Sequence, residues 1–243
     1  MADARVRLEP AWVLHRRDYR DSSQIVDLMT AGFGRVSMVA RGIKRPKSPH
    51  RGLLQPFRPL LVSWVGRRDL VTMSDVERAP GAVLSMHGDN LLSAFYVNEL
   101  LLRLTHRFDP QPELFAVYGE ALQKLSKAQA PHAPLRDFES DLLDVLGVGI
   151  PWGHDYEGVA IDPQRYYRFS PERGFETTVA VAGNRAAING QIILAMAARQ
   201  WSDEAVLTAA RQVLTQAIDW HLGERPLQTR EVLKAMRRDR GNQ

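Results

Sequence analysis

After Pro80-Gly81 the spacing of apolar residues changes from the two-residue period of strands to the longer period of helices. Ahead of that point, five short apolar runs alternate with turn chemistry. Ala11 to His15 (AWVLH) reads as the first strand, with a turn-rich stretch from Arg17 to Ser22 behind it. Gln24 to Met29 is the second. Ala31-Gly32-Phe33-Gly34 makes a tight turn into the third, Arg35 to Ile43. There Val36, Met38 and Ala40 share one face, and Arg35, Ser37, Val39 and Arg41 the other. Leu60 to Val65 and Leu70 to Val76 form a further pair, joined by the hairpin-sized link Gly66-Arg67-Arg68-Asp69.

Beyond residue 80, Leu92, Phe95, Tyr96, Glu99, Leu100 and Leu104 fall near helical spacing within Asp89 to His106. Pro112 to Lys127 and Pro134 to Leu146 continue the pattern, each with Pro in or near the first turn, where its missing N–H costs nothing. Gly147 and Gly149 close the third helix. From about 150 to 190 the pattern breaks into an irregular insert with two or three short strands, and helices resume at Gly190 to Arg199, Asp203 to Leu222 and Leu227 to Arg238. The class is therefore α+β, with a strand domain over 1–80 and a mainly helical domain over 81–243. Five short strands suit a small closed barrel. The OB-fold is the commonest such barrel that binds nucleic acid, and an SH3-like barrel fits the same pattern.

Charge separates the same two regions. Residues 1–80 hold 15 Lys/Arg against 8 Asp/Glu, a net +7, whereas residues 81–243 hold 17 against 20, a net −3. Between Asp27 and Asp69 lie 41 residues without an acidic side chain, and they contain nine cations: Arg35, Arg41, Lys44, Arg45, Lys47, Arg51, Arg58, Arg67 and Arg68. Five of these fall in the Pro-broken segment Arg41 to Arg51. A one-signed stretch of this length points at a polyanion, most simply a phosphate backbone. Trp12, Tyr19, Phe33, Phe57 and Trp64 lie in or beside the strands, where each serves either as core or as a platform for bases.

Other chemistry finds little footing. With no cysteine there is no disulfide, thiolate zinc site or cysteine nucleophile, and the seven His residues form no metal-binding pair. Neither a phosphate-binding GxxxxGK[ST] loop nor a dinucleotide fingerprint occurs. Asp141 and Asp144, one turn apart, read as a solvated helix face, and His154-Asp155 as an isolated pair. No run is long enough to span a bilayer, and the first residues lack the apolar stretch of a signal peptide, so a cytosolic protein is expected. The late helices QIILAMAAR and AVLTAARQVLTQA are rich in small apolar residues flanked by arginines, a composition that fits an ordinary core or a groove for an acidic peptide.

The segment from Trp12 to Glu77 resembles the bacterial RecO recombination-mediator family. The resemblance is carried by Val13-Leu14-His15 with Tyr19 and Ser22, by Gly34-Arg35 and Val39-Ala40-Arg41-Gly42, by Leu54-Gln55-Pro56-Phe57, and by Gly66 with Asp69-Leu70. FYVNELLLRLTH, LRDFESDLLDVLG, YRFSPERGF and RPLQTREVLKAM extend it over nearly the whole chain. It implies an N-terminal OB-fold, a helical domain behind it and no enzyme active site or cofactor. It further implies binding of single- and double-stranded DNA, annealing of complementary strands, and loading of RecA onto DNA coated by single-stranded-DNA-binding protein, with RecR as a partner and a nucleoid-associated location. DNA contacts are expected at Arg35, Arg41, Lys44, Arg45, Lys47, Arg51, Arg67 and Arg68. The family's dock for the acidic, Phe-ended tail of single-stranded-DNA-binding protein is placed at Leu194, Ala198, Arg211, Val213 and Arg230. Many members carry a four-cysteine zinc motif in the insert; this chain has no cysteine, so packing alone must hold the insert. The rival reading is an RNA- or ribosome-associated OB-fold protein.

Overall fold

A computed structural model describes residues 5–66, 69–81, 83–179 and 186–241. Five strands come first: β1 (Arg5–Tyr19), β2 (Ser23–Thr30), β3 (Gly34–Ala40), β4 (Leu60–Val65) and β5 (Val71–Arg78). They close into a barrel in the order β1-β2-β3-β5-β4, with β3 and β5 parallel and the other pairs antiparallel. This is the OB-fold. Inward residues alternate along the strands, so that Val36, Met38 and Ala40 are fully buried, as their period predicts. Trp64, 1% exposed, fills the interior with Phe33 edge-on against it at 5.1 Å.

β1 is three times the length expected from its apolar run. It passes through Pro10, which lies opposite Leu61, and continues through the predicted turn to Tyr19. Local composition hid this extension, because the strand is held by its partners and not by its own propensity. Opposite β2 the register jumps from Val13–Leu28 to His15–Asp27, leaving Leu14 as the extra residue of a bulge.

Among the described residues, six helices and a small sheet follow: α1 (Gly88–Leu104), α2 (Pro112–Lys127), α3 (His132–Val145), β6 (Tyr166–Ser170), β7 (Gly174–Thr178), β8 (Ala187–Asn189), α4 (Gly190–Ala197), α5 (Glu204–Leu222) and α6 (Gln228–Gly241). By packing, the chain divides into one unit of Met1–Ala128 with Leu227–Gln243 and a second of Gln129–Pro226.

In the first unit α1 and α2 lie against the barrel through a buried polar knot. Asn98 donates from Nδ2 to the Leu14 carbonyl at 2.9 Å and the Val13 carbonyl at 3.4 Å, while the Tyr118 hydroxyl donates to Asn98 Oδ1 at 2.7 Å. Tyr118 is fully buried with Trp12 edge-on at 6.0 Å, and that burial pushes its hydroxyl well above the ordinary phenol range. The inward face of α1 runs through Ala94, Val97 and Leu101; Phe95, assigned to that face by spacing, is 38% exposed and meets Phe57 edge-on at 5.0 Å. Glu99 turns away from the core and caps α6, accepting from the Gln228 and Thr229 backbone N–H groups at 2.7 and 2.9 Å.

In the second unit α5 packs on α3 and α4. The sheet, ordered β7-β6-β8, buries Tyr167, Phe169 and Phe175, and Trp152 joins Phe175 at 5.9 Å. Asp155 ties the turn ahead of the sheet by accepting from the Glu157 and Val159 N–H groups. Arg199, in a left-handed conformation after α4, reaches Asp137 and Asp141 on α3, and Trp201 Nε1 donates to Asp137 at 2.7 Å. Asp141 is thus one side of a clamp and not a freely solvated carboxylate.

Candidate nucleic-acid interface

The link between β3 and β4, residues 41–59, carries most of the cations. Its backbone is a chain of turns, with Arg45 N–H donating to the Gly42 carbonyl, Ser48 to Arg45 and Arg51 to Ser48 at 3.0–3.2 Å. Apolar side chains fasten it to the barrel: Ile43, Leu54 and Phe57 are 4%, 2% and 5% exposed. Pro46 and Pro49 restrict the backbone between these anchors. The polar side chains are thereby left outside, and Arg41, Lys44, Arg45, Lys47 and Arg51 are all exposed.

Only Lys44 among these five is paired, its Nζ 2.7 Å from Asp18 Oδ2 near the end of β1. Lys44, with Gln24, holds the Asp18 carboxyl below the usual carboxylate range. Arg41, Arg45, Lys47 and Arg51 have no side-chain hydrogen bond or ion pair with any described residue. Four uncompensated cations on one tethered segment produce a local positive field that a single surface ion pair cannot cancel.

Arg35 has a different occupation. Its Nη2 donates to the Thr105 carbonyl at 2.8 Å, just past the end of α1, and its own carbonyl accepts from Phe108 N–H. Burial lowers its pKa, with Asp27 opposing and Arg107 assisting. The fold therefore uses Arg35 to join β3 to the segment after α1. Arg67 and Arg68 lie outside the described residues.

Arg16, Arg17 and Arg20 were missed by the acid-free run because Asp18 and Asp21 interrupt them in sequence. The barrel brings the hairpin that carries them against the loop: Lys44 N–H donates to the Ser22 carbonyl, and Arg16 Nη1 donates to the Leu54 carbonyl. The basic surface thus spans the β1–β2 hairpin as well as the loop. A charge count taken without regard to intervening acids would have included them.

The residues of the expected peptide dock divide between the two units. Leu194, Ala198 and Arg211 are exposed in the second unit. Val213 is fully buried, because it lies on the same face of α5 as Ala210, Leu214 and Ala217. It packs in the core and cannot wall a groove. Arg230 belongs to the first unit, where its guanidinium sits 5.6 Å from the Tyr96 ring centroid.

Among the described residues, no group of three or more His, Asp or Glu side chains is arranged to hold a metal ion, and no helix is long and apolar enough to cross a membrane.

Two family models match the chain on either side of the barrel's end: Recombination protein O N terminal over residues 5–80, and Recombination protein O C terminal over residues 87–231. The chain belongs to the RecO family. Similar proteins include the DNA repair protein RecO of Nitrosococcus oceani, 41% identical over 236 residues, covering 96% of this chain and 95% of that protein. The DNA repair protein RecO of Alkalilimnicola ehrlichii is 41% identical over 240 residues, covering 98% and 95%. That of Tolumonas auensis is 42% identical over 230 residues, covering 94% and 95%. The N-terminal match coincides with the barrel, and so with the cationic loop and hairpin.

Proposed function

We propose that this chain is a non-enzymatic recombination mediator of DNA repair whose barrel surface binds the phosphate backbone of single- and double-stranded DNA. The observation that carries this reading is the tethered loop of exposed cations, Arg41, Arg45, Lys47 and Arg51 unpaired and Lys44 held by Asp18, on an OB-fold barrel. The full-length similarity to DNA repair proteins of the RecO family supports the biological setting. Cations fixed along a folded surface offset the repulsion between two phosphate backbones, so complementary strands meet and anneal. The same surface helps load RecA onto DNA coated by single-stranded-DNA-binding protein, with RecR as a partner, at the nucleoid in the cytoplasm. The tail of single-stranded-DNA-binding protein docks on the exposed Leu194, Ala198 and Arg211.

Neutralising about five phosphates gives a slope of log affinity against log salt of roughly −3.5 on single strands. Reversing Lys44, Arg45 and Lys47 to Glu should flatten that slope by about two and slow annealing, with unchanged thermal stability. Unchanged DNA affinity in that variant would overturn the assignment. Structured RNA competing as well as single-stranded DNA would favour the RNA-binding alternative.

A further inference from the structure

Of the five aromatic residues that could serve as stacking platforms, the fold consumes four. Trp12, Phe57 and Trp64 are 9%, 5% and 1% exposed, and Phe33 packs edge-on against Trp64. Phe33 and Tyr19 are both partly exposed, but only Tyr19 makes no ring–ring contact with the barrel core; it is the last residue of β1, at the tip of the β1–β2 hairpin. The next residue, Arg20, is exposed and holds a left-handed backbone with φ of 53°. A non-glycine residue in that region is disfavoured, and such conformations cluster at functional sites. This backbone sets the Arg20 guanidinium 5.2 Å from the Tyr19 ring centroid.

The stack adjoins the cationic loop. Asp18, immediately before Tyr19, holds Lys44 Nζ at 2.7 Å, and the Ser22 carbonyl two residues beyond Arg20 accepts from Lys44 N–H at 3.0 Å. A partly exposed ring and an exposed guanidinium beside a phosphate-binding loop offer both parts that a single strand needs, a π-face for a base and cations for its backbone. Bases in a duplex are already stacked on their neighbours and present no free face.

We propose that Tyr19 and Arg20 form a nucleobase-stacking subsite at the start of the cationic loop, which gives the barrel surface a preference for unpaired over paired DNA. This rests on the barrel-surface reading above. The test is fluorescence anisotropy of the full-length protein with a labelled oligodeoxythymidylate of about 20 nucleotides and a duplex of the same length. Tyr19→Ala should weaken single-strand binding about fivefold or more, the change that corresponds to ~1 kcal/mol for a lost stack. Its duplex affinity should change less than about twofold and its salt slope should stay that of the wild type, because no phosphate contact is removed. Tyr19→Phe keeps the ring and should bind both DNAs like the wild type. Equal weakening on single strand and duplex, or no weakening on the single strand, overturns the proposal. The triple reversal of Lys44, Arg45 and Lys47 separates the two readings. If it leaves both affinities unchanged, the barrel-surface reading fails; if it weakens both while Tyr19→Ala weakens neither, only the stacking subsite falls.

Discussion

Asn98→Ala removes the polar knot through which α1 holds the bulge of β1. Asn98 is 2% exposed and makes three contacts that no water can replace: two donated to the Leu14 and Val13 carbonyls and one accepted from the Tyr118 hydroxyl. Because Leu14 is the extra residue of the bulge, it has no paired residue on β2. Truncation leaves the Leu14 carbonyl and the Tyr118 hydroxyl unsatisfied, at about 1–3 kcal/mol each, with a small cavity besides. A total loss of about 3–5 kcal/mol is expected. Tyr118→Phe orphans only Asn98 Oδ1 and should cost about 1–2 kcal/mol. In the double variant the unsatisfied hydroxyl is gone, so it should be no less stable than Asn98→Ala alone, a coupling of about 1–2 kcal/mol. Urea unfolding followed by circular dichroism measures the three losses, and hydrogen exchange of β1 peptides locates them in the barrel. A cost below about 1 kcal/mol for Asn98→Ala, or strictly additive losses, would refute the view that this knot braces the barrel on its helices.

Asp18→Asn frees Lys44 and removes a negative charge beside the cationic loop; on the proposed DNA-binding role, affinity at low salt should rise about two- to fivefold and the single-strand salt slope steepen by about 0.7, read by anisotropy titration. Gly34→Ala should cost about 3 kcal/mol or more in urea unfolding, because Gly34 has φ of 65° and an added Cβ would lie 1.8 Å from the Asp109 carbonyl oxygen. Asp144 is exposed, yet partial desolvation beside the end of α3 raises its carboxyl above the ordinary range, with Arg199 opposing and Asp141 adding to the shift. A carboxyl raised in the folded state keeps its proton longer than the unfolded chain does, so stability falls as pH climbs from the unfolded pKa through the folded one. Asp144→Asn should therefore raise the urea midpoint at pH 7, and the gain should vanish once the pH drops below the ordinary carboxylate range.

Much of the fold was written in the period of the apolar residues. Pro112–Lys127 and Leu60–Val65 have the bounds that period predicts, and the change at Pro80-Gly81 marks where barrel gives way to helix. The cationic loop was equally legible, since a run without acids stays a one-signed run wherever the chain goes. These features depend on neighbours a few residues apart, and the sequence lists such neighbours directly. It could not reveal which groups find distant partners. Arg35 meets a carbonyl 70 residues away, and Glu99 caps a helix 129 residues on. Val213 reads as a groove residue until the rest of α5 shows its face buried. Arg16, Arg17 and Arg20, separated from the loop by acids in sequence, lie on the hairpin beside it because antiparallel pairing of β2 with β3 sets Ala40, where the loop begins, opposite Gln24. The existence and order of the strands and helices, though not the full length of β1, were legible in local order, as was the run of cations. The work each charge and aromatic ring performs was settled only by closure of the barrel, because burial and partnership are properties of the folded surface.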